Sequence, residues 1–195
     1  MKNRAAAAWI AWLLAAVYYF YQYVLRSAPA VMMPQLSEAF HLSVAVMASA
    51  LGLFYYGYAA LSLVAGISID RIGARTVIPA GALLTGAGAL LFGTGNFTAA
   101  NVGRFLQGGG GVFALVGAIY IAGRNFPASQ AATLIGATQM FGMAGGAAGQ
   151  FLVGSMVVRG MTWNAFWISM GLAGDRKSTR LNSSHSRASR MPSSA

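Results

Sequence analysis

The stretch Gly66-Ile67-Ser68-Ile69-Asp70-Arg71-Ile72-Gly73-Ala74-Arg75 separates two long apolar runs of the chain. Because charged side chains are costly in the hydrocarbon layer of a membrane, these charges are expected in a short turn at a membrane surface. Glycine and arginine are typical of any cytoplasmic turn between two membrane helices. Asp70 is not explained in that way, because an acid beside Arg71 contributes nothing to topology. The stretch therefore predicts a surface turn in which Asp70 makes a specific pair.

The composition indicates the class of protein. Hydrophobic residues make up 57% of the chain and charged residues 8%, with a mean hydropathy of +0.60. Soluble domains carry about 25% charged residues, so an integral membrane protein is expected. The sequence pI of about 10.7 raises nucleic-acid binding as an alternative. Because the basic residues are scattered singly as far as Arg124, we expect no nucleic-acid partner. The absence of cysteine excludes disulfides and thiolate metal sites.

The apolar runs predict the fold class. About twenty helical residues cover the roughly 30 Å hydrocarbon layer. The last run would span only about 18 Å, so its helix is expected to be truncated. Residues 35–41 are polar and are expected to form an external loop. The pattern predicts an all-α, multi-pass transmembrane helical bundle, with helices at about residues 8–33, 43–67, 76–93, 99–122, 129–158 and 163–174.

The basic residues predict how the helices are oriented. In membrane proteins, the loops on the cytoplasmic side carry more lysine and arginine residues than the loops on the opposite side. If the N-terminus is cytoplasmic, only Arg159 among the turn residues faces outward. Those that face the cytoplasm are Lys2, Arg4, Arg71, Arg75 and Arg124. The N-terminus is therefore expected in the cytoplasm. The membrane that we expect for such a protein is a plasma or inner membrane.

Residues 175–195 differ in character from the rest of the chain. The segment from Asp175 to His185 resembles the in-frame translation of a common sequencing-library adapter. The alternative is a natural, disordered basic tail. We expect residues 1–174 to form the transmembrane domain and exclude the tail from the fold as non-native and disordered.

Two motifs resemble the major facilitator superfamily of transporters. The opening stretch resembles the family's signature for the loop between transmembrane helices 2 and 3, from which Ser68 and Ala74 depart. Arg104-Phe-Leu-Gln107-Gly108-Gly-Gly110 resembles its helix-4 pattern, although Ala100 stands where a leucine is expected. The resemblance implies the N-terminal half of a twelve-helix transporter. It also implies gating or coupling roles for the matching residues Gly66, Asp70, Arg71, Gly73, Arg75, Arg104, Gln107 and Gly108.

Arg104 is also notable on physical grounds. An arginine at the bilayer centre costs roughly 2.5–3.5 kcal/mol on insertion scales, so such residues usually face a cavity or a partner. A functional polar residue and an anchor at the membrane interface are both open interpretations.

Arg26 is the candidate for substrate binding. Tyr18, Gln22 and Arg26 recur every four residues and are expected to share one helix face. The stretch Arg26-Ser-Ala-Pro29 resembles helix 1 of organic-anion and sugar-phosphate members of the superfamily, in which an arginine holds the substrate's anion. This resemblance implies that Arg26 holds the substrate's anion. Gln22 and Tyr18, on the same helix face, and Gln139 on the fifth helix are the other expected substrate-binding residues. The alternative is that Arg26 extends to the interface as an anchor.

The sequence thus predicts a fragment of a secondary active transporter. We expect a small organic anion as substrate, an ion gradient as driving force and an alternating-access mechanism. The expected partners are that substrate, membrane lipid and a missing C-terminal six-helix half. The chain has no grouping of residues for catalysis, and we expect neither an enzyme nor a cofactor. The alternative is a non-transporting scaffold or assembly protein with five or six membrane helices.

Overall fold

The computed structural model describes residues 2–174, with side chains from residue 5 onward. The predicted tail at 175–195 lies outside these residues. Within them the chain is helical apart from short connections, which confirms the all-α, multi-pass bundle. The helices are α1 (Lys2–Val31), α2 (Met33–Phe40), α3 (Val44–Ile72), α4 (Ala74–Gly93), α5 (Phe97–Asn125), α6 (Ala128–Val158) and α7 (163–174).

Five helices of the described chain are long and apolar enough to cross a membrane. Within the most apolar window of each, 61% of α5, 56% of α4 and 50% of α1 is buried inside the protein, but only 22% of α3 and of α6. α5 is therefore the centre of the bundle, whereas α3 and α6 turn most of their surface outward. The spans are Ala5–Val31, Val44–Ile72, Ala74–Gly93, Phe97–Asn125 and Ala128–Val158.

Local sequence explains where these helices begin and end. The Ser43 hydroxyl and the Asn96 side-chain oxygen accept hydrogen bonds from backbone N–H groups in the first turns of α3 and α5. Such side chains satisfy donors that have no partner inside the helix. Gly73 alone separates α3 from α4, and its φ of 90° is a value that side-chain-bearing residues rarely adopt. α3 therefore continues beyond residue 67 and includes Asp70 and Arg71 in its last turn.

The expected external loop at residues 35–41 is wrong, because most of it is the short helix α2. Pro34 lies in the first turn of α2, where its missing N–H costs nothing. Leu36 is fully buried and anchors the helix to the core. His41 ends it with a left-handed φ of 53°, and its N–H donates to the Glu38 carbonyl at 3.1 Å. Polar composition indicated a loop here, but one buried leucine on an eight-residue helix carries too weak a periodic signal to be recognised.

Four consecutive glycines, Gly108–Gly111, form the turn of α5 on which α1, α3 and α4 pack. A Cβ atom on the first would collide with the Phe54 carbonyl oxygen of α3, and one on the third with the Thr85 hydroxyl of α4. A Cβ on the fourth would lie 2.7 Å from the Gln22 side chain of α1. Since successive helical residues are about 100° apart, the four glycines present backbone on every side of α5. Small residues permit this close approach in membrane bundles.

Candidate functional site

Arg104 lies two turns into α5 and is nearly fully buried, with 3% of its surface exposed. One of its terminal nitrogens, Nη1, donates to the Leu25 carbonyl of α1 at 3.3 Å and to Gln107 Oε1 at 2.8 Å. Gln107 in turn donates from Nε2 to the Gly88 carbonyl of α4 at 3.0 Å. We call Arg104, Gln107 and these two carbonyls the Arg104 cluster. It joins α1, α4 and α5 inside the bundle.

Aromatic rings complete the surroundings of Arg104. Its Cζ atom lies 5.0 Å from the ring centroid of Phe54 and 5.8 Å from that of Phe92. A guanidinium over an aromatic face is attracted by the negative charge of the π system. The charge of Arg104 is therefore held by a carbonyl, an amide and two rings. The burial differs from that of an interfacial anchor, whose charged group reaches water.

Tyr18 and Gln22 point into the bundle. The Tyr18 hydroxyl donates to the Gly110 carbonyl at 2.7 Å and lies 2.9 Å from the Thr85 hydroxyl. Gln22 is fully buried against Gly111, and among the described residues its amide atoms have no hydrogen-bond partner. Both side chains therefore lie between α1 and α5, as expected for residues that share a helix face.

Arg26, one turn further along α1, lies where α1 meets α3. Its Cζ atom is 5.1 Å from the ring centroids of both Tyr23 and Tyr55 and 6.0 Å from that of Phe54. The side chain is half-buried, whereas 56% of Tyr55 is exposed. Arg26 is thus held by aromatic faces at the border of the buried core.

Gln139 of α6 is connected to the surroundings of Arg26 by a hydrogen bond with Tyr19. The Tyr19 hydroxyl donates to Gln139 Oε1 at 3.0 Å and lies 3.2 Å from the Tyr23 hydroxyl. The Tyr19 and Tyr23 rings are 4.8 Å apart. Arg26 and Gln139, which are far apart in the sequence, are therefore connected by a row of tyrosines. We call the set Arg26, Tyr19, Tyr23, Tyr55 and Gln139 the Arg26 cluster.

The sequence reasoning missed the three tyrosines of this cluster. Their signal is the density of tyrosine at 18–23 and 55–58 within apolar helices. Tyrosine in a membrane helix combines a large apolar ring with a hydroxyl that needs a partner, so such a run favours a shared polar site.

The residues of the opening motif lie together at one end of the bundle. Asp70 and Arg71 are exposed in the last turn of α3, and Arg75 is exposed in the first turn of α4. Gly66 is exposed, and a Cβ atom added to it would meet no neighbour within 4 Å. Gly73 supplies the sharp junction between the two helices. The predicted turn is thus a single residue, and the location of the motif at a membrane surface stays a prediction.

A cleft of about 840 Å³ opens at this same end, between α1, α4 and α5. Half of its lining residues are alanine or isoleucine, and Gly73, Arg75 and Arg124 are among the others. None of its lining residues belongs to the Arg26 cluster or to the Arg104 cluster. The cleft is therefore a separate feature from both clusters.

The chain matches a known protein family. A family model described as the Major Facilitator Superfamily matches residues 12–174, which is most of the chain and includes both clusters. No curated protein matches the chain.

Proposed function

Since the chain belongs to the major facilitator superfamily, a family of membrane transporters, we propose that it carries the substrate-binding arginine of a secondary transporter for small organic anions. Membership and the apolar helices make it a multi-pass membrane protein with a general role in transport. The chemistry of the substrate, the coupling to an ion gradient and the roles of individual residues are our proposal.

The Arg26 cluster is the observation that supports an anionic substrate. The rings of Tyr23 and Tyr55, whose centroids lie 5.1 Å from Arg26 Cζ, attract the positive charge of the guanidinium. The N–H donors of a guanidinium lie in its plane, in a fork that matches carboxylate and phosphate oxygens. Nearby hydroxyls and the Gln139 amide supply further donors and acceptors. Such a set of groups suits a small anion that carries other polar groups.

The Arg104 cluster supports a role in coupling. It joins α1, which carries Arg26, to α4 and α5 through hydrogen bonds to a buried charge. We propose that rearrangement of these bonds accompanies the rocking of one half of the transporter against the other, as in alternating access. The motif from Gly66 to Arg75 is proposed to act on the cytoplasmic side of the same movement.

We further propose that the complete transporter has a second six-helix half encoded after Gly174 and that the N-terminus is cytoplasmic. The outward-turned surfaces of α3 and α6 are consistent with such a partner, since substrate sites of these folds lie between two halves. Sequencing the native locus tests this proposal. Six further apolar spans are expected, and a native stop codon directly after α7 would favour a scaffold protein instead.

Anion binding is tested by protection of Arg26 from phenylglyoxal, a reagent that modifies guanidinium groups. The detergent-purified protein is incubated with D-gluconate, succinate, benzoate or glucose 6-phosphate, with uncharged D-glucose as the control. We expect at least one anion, and not D-glucose, to slow modification of Arg26, as measured by mass spectrometry. If none of the four protects Arg26, the proposed substrate class is wrong.

Transport is tested by Arg26→Lys in the complete transporter reconstituted in liposomes. Lysine keeps the charge but not the planar fork, so we expect uptake of the protecting anion to fall strongly while membrane insertion is retained. Arg124→Lys is a matched control, because Arg124 also lies over a tyrosine ring, at 5.6 Å from Tyr120. Uptake that equals that of the parent in Arg26→Lys would identify Arg26 as an interfacial anchor.

A further inference from the structure

Phe54 contacts two arginines that belong to different clusters. Its ring centroid lies 6.0 Å from Cζ of Arg26 and 5.0 Å from Cζ of Arg104. The ring is 1% exposed, so water does not screen either interaction at the ring. One aromatic side chain is therefore shared by the half-buried guanidinium of α1 and the buried guanidinium of α5.

The position of Phe54 is fixed by its backbone and by its neighbours. Its carbonyl oxygen lies where a Cβ of Gly108 would be, so α3 contacts the α5 backbone directly at this residue. The ring is nearly parallel to that of Tyr58, with centroids 6.4 Å apart, and meets Tyr55 edge-on at 5.6 Å. The main chain that carries this ring is therefore held directly against α5.

The other two rings around Arg26 differ from Phe54 either in exposure or in the helix that carries them. Tyr55 is 56% exposed, and Tyr23 lies on the same helix as Arg26 and moves with it. Phe54 is thus the buried ring on a different helix against which the Arg26 guanidinium is positioned. The same ring positions Arg104 from the other cluster.

We infer that Phe54 is a positioning residue that links the Arg26 cluster to the Arg104 cluster. The two guanidiniums carry like charges and repel each other, and the ring attracts both. An anion bound at Arg26 neutralises one of these charges and so changes the field at Arg104. This last step rests on the proposed function, whereas the positioning of Arg26 by Phe54 does not.

The positioning is tested with phenylalanine analogues that carry one, two or three fluorines at position 54. Fluorine withdraws charge from the ring face while nearly preserving its shape, so the attraction to a cation weakens stepwise. We expect the phenylglyoxal modification of Arg26 in the ligand-free, detergent-purified protein to accelerate along the series, by about two- to tenfold in total. The exposed Arg71 and Arg75 provide internal controls and should keep their rates. An unchanged rate at Arg26 across the series would overturn the inference.

Phe92 is the matched control for general packing. Its ring is also buried and lies 5.8 Å from Arg104 Cζ. The same fluorine series at position 92 should leave the rate at Arg26 unchanged. An equal acceleration from both positions would show that Arg26 responds to loosening of the core, and the inference would be wrong.

The link to Arg104 is tested by a double-mutant cycle. If the ring links the two residues, we expect Arg104→Lys to change the modification rate of Arg26 when Phe54 is present, and to have no effect in a Phe54→Leu background. Additive effects of the two changes would contradict a link through the ring.

The anion-protection assay tests the proposed function, whereas the fluorine series tests the positioning of Arg26 by Phe54. A normal fluorine response without protection by any anion contradicts the proposed substrate class alone, and protection without a fluorine response contradicts the inference alone.

Discussion

Arg104 donates to the Oε1 atom of Gln107, nearly one turn further along α5, at 2.8 Å. This bond joins a buried charge to a side chain that itself donates to the Gly88 carbonyl on α4. Because both residues lie in the apolar interior, each polar atom that loses its partner there bears the full cost of its desolvation. The stability of the bundle is therefore expected to be sensitive to changes at this pair.

Gln107→Leu removes the acceptor for Arg104 without changing the side-chain length greatly. We expect the free energy of unfolding, measured by SDS titration in mixed micelles, to fall by about 2–4 kcal/mol, because a buried guanidinium loses a partner. Gln150→Leu on the exposed surface of α6 is the control and should change the value by less than about 0.5 kcal/mol. Equal effects of the two variants would mean that the bond contributes nothing specific.

Gly108→Ala introduces a Cβ atom that collides with the Phe54 carbonyl oxygen. Since backbone cannot rotate away as a side chain can, α3 and α5 must separate, and we expect a loss of about 1–3 kcal/mol in the same titration. Gly136→Ala is the control, because no neighbour lies within 4 Å of its added Cβ. There the better helix propensity of alanine should leave stability equal or slightly higher. A tolerated Gly108→Ala would show that the helices are not in backbone contact.

Thr76→Cys and Thr98→Cys test the orientation of the helices. Both threonines are exposed, and they lie at opposite ends of the region formed by α4 and the start of α5. In a chain without native cysteine, a membrane-impermeant maleimide added to intact cells should label position 98 and not position 76. Labelling of position 76 alone would reverse the proposed orientation.

Asp70→Asn separates a functional role of the motif from a structural one. Asp70 lies in the C-terminal turn of α3, where a negative charge is unfavourable to the helix dipole. Removing the charge should therefore leave stability unchanged or slightly improved, while uptake by the complete transporter falls. Collapsed expression together with normal specific uptake would indicate a structural role for the carboxylate.

The sequence predicts the helices well because the membrane restricts the possibilities. Apolar length and the scarcity of charge are enough to locate five spans, and the motif around Gly73 marks a sharp junction. The short helix α2 escapes prediction because its polar composition resembles that of a loop. Helix length alone could not show that its Leu36 is buried.

The candidate site is predicted less completely. Spacing on α1 placed Tyr18, Gln22 and Arg26 on one face, but it could not show that Tyr18 bonds to the Gly110 carbonyl on α5. The pairing of Tyr19 with Gln139 joins two helices far apart in the chain, and no local pattern encodes such a contact. The roles assigned to these residues stay predictions until they are tested.

The four-glycine turn of α5 has a consequence for how this protein can diversify. At that level the neighbouring helices contact main chain, so α5 offers no side chain whose exchange would reshape the interior. If the Arg26 cluster binds the substrate as proposed, changes in substrate preference arise on the opposing helices, at side chains such as Tyr23, Tyr55 and Gln139. A library of variants at these three positions should yield altered ligand preferences in folded proteins, whereas one at Gly108–Gly111 should yield mostly proteins that fail to assemble. The middle of α5 therefore tolerates little sequence change, and variation is expected at the side chains of the helices that surround it.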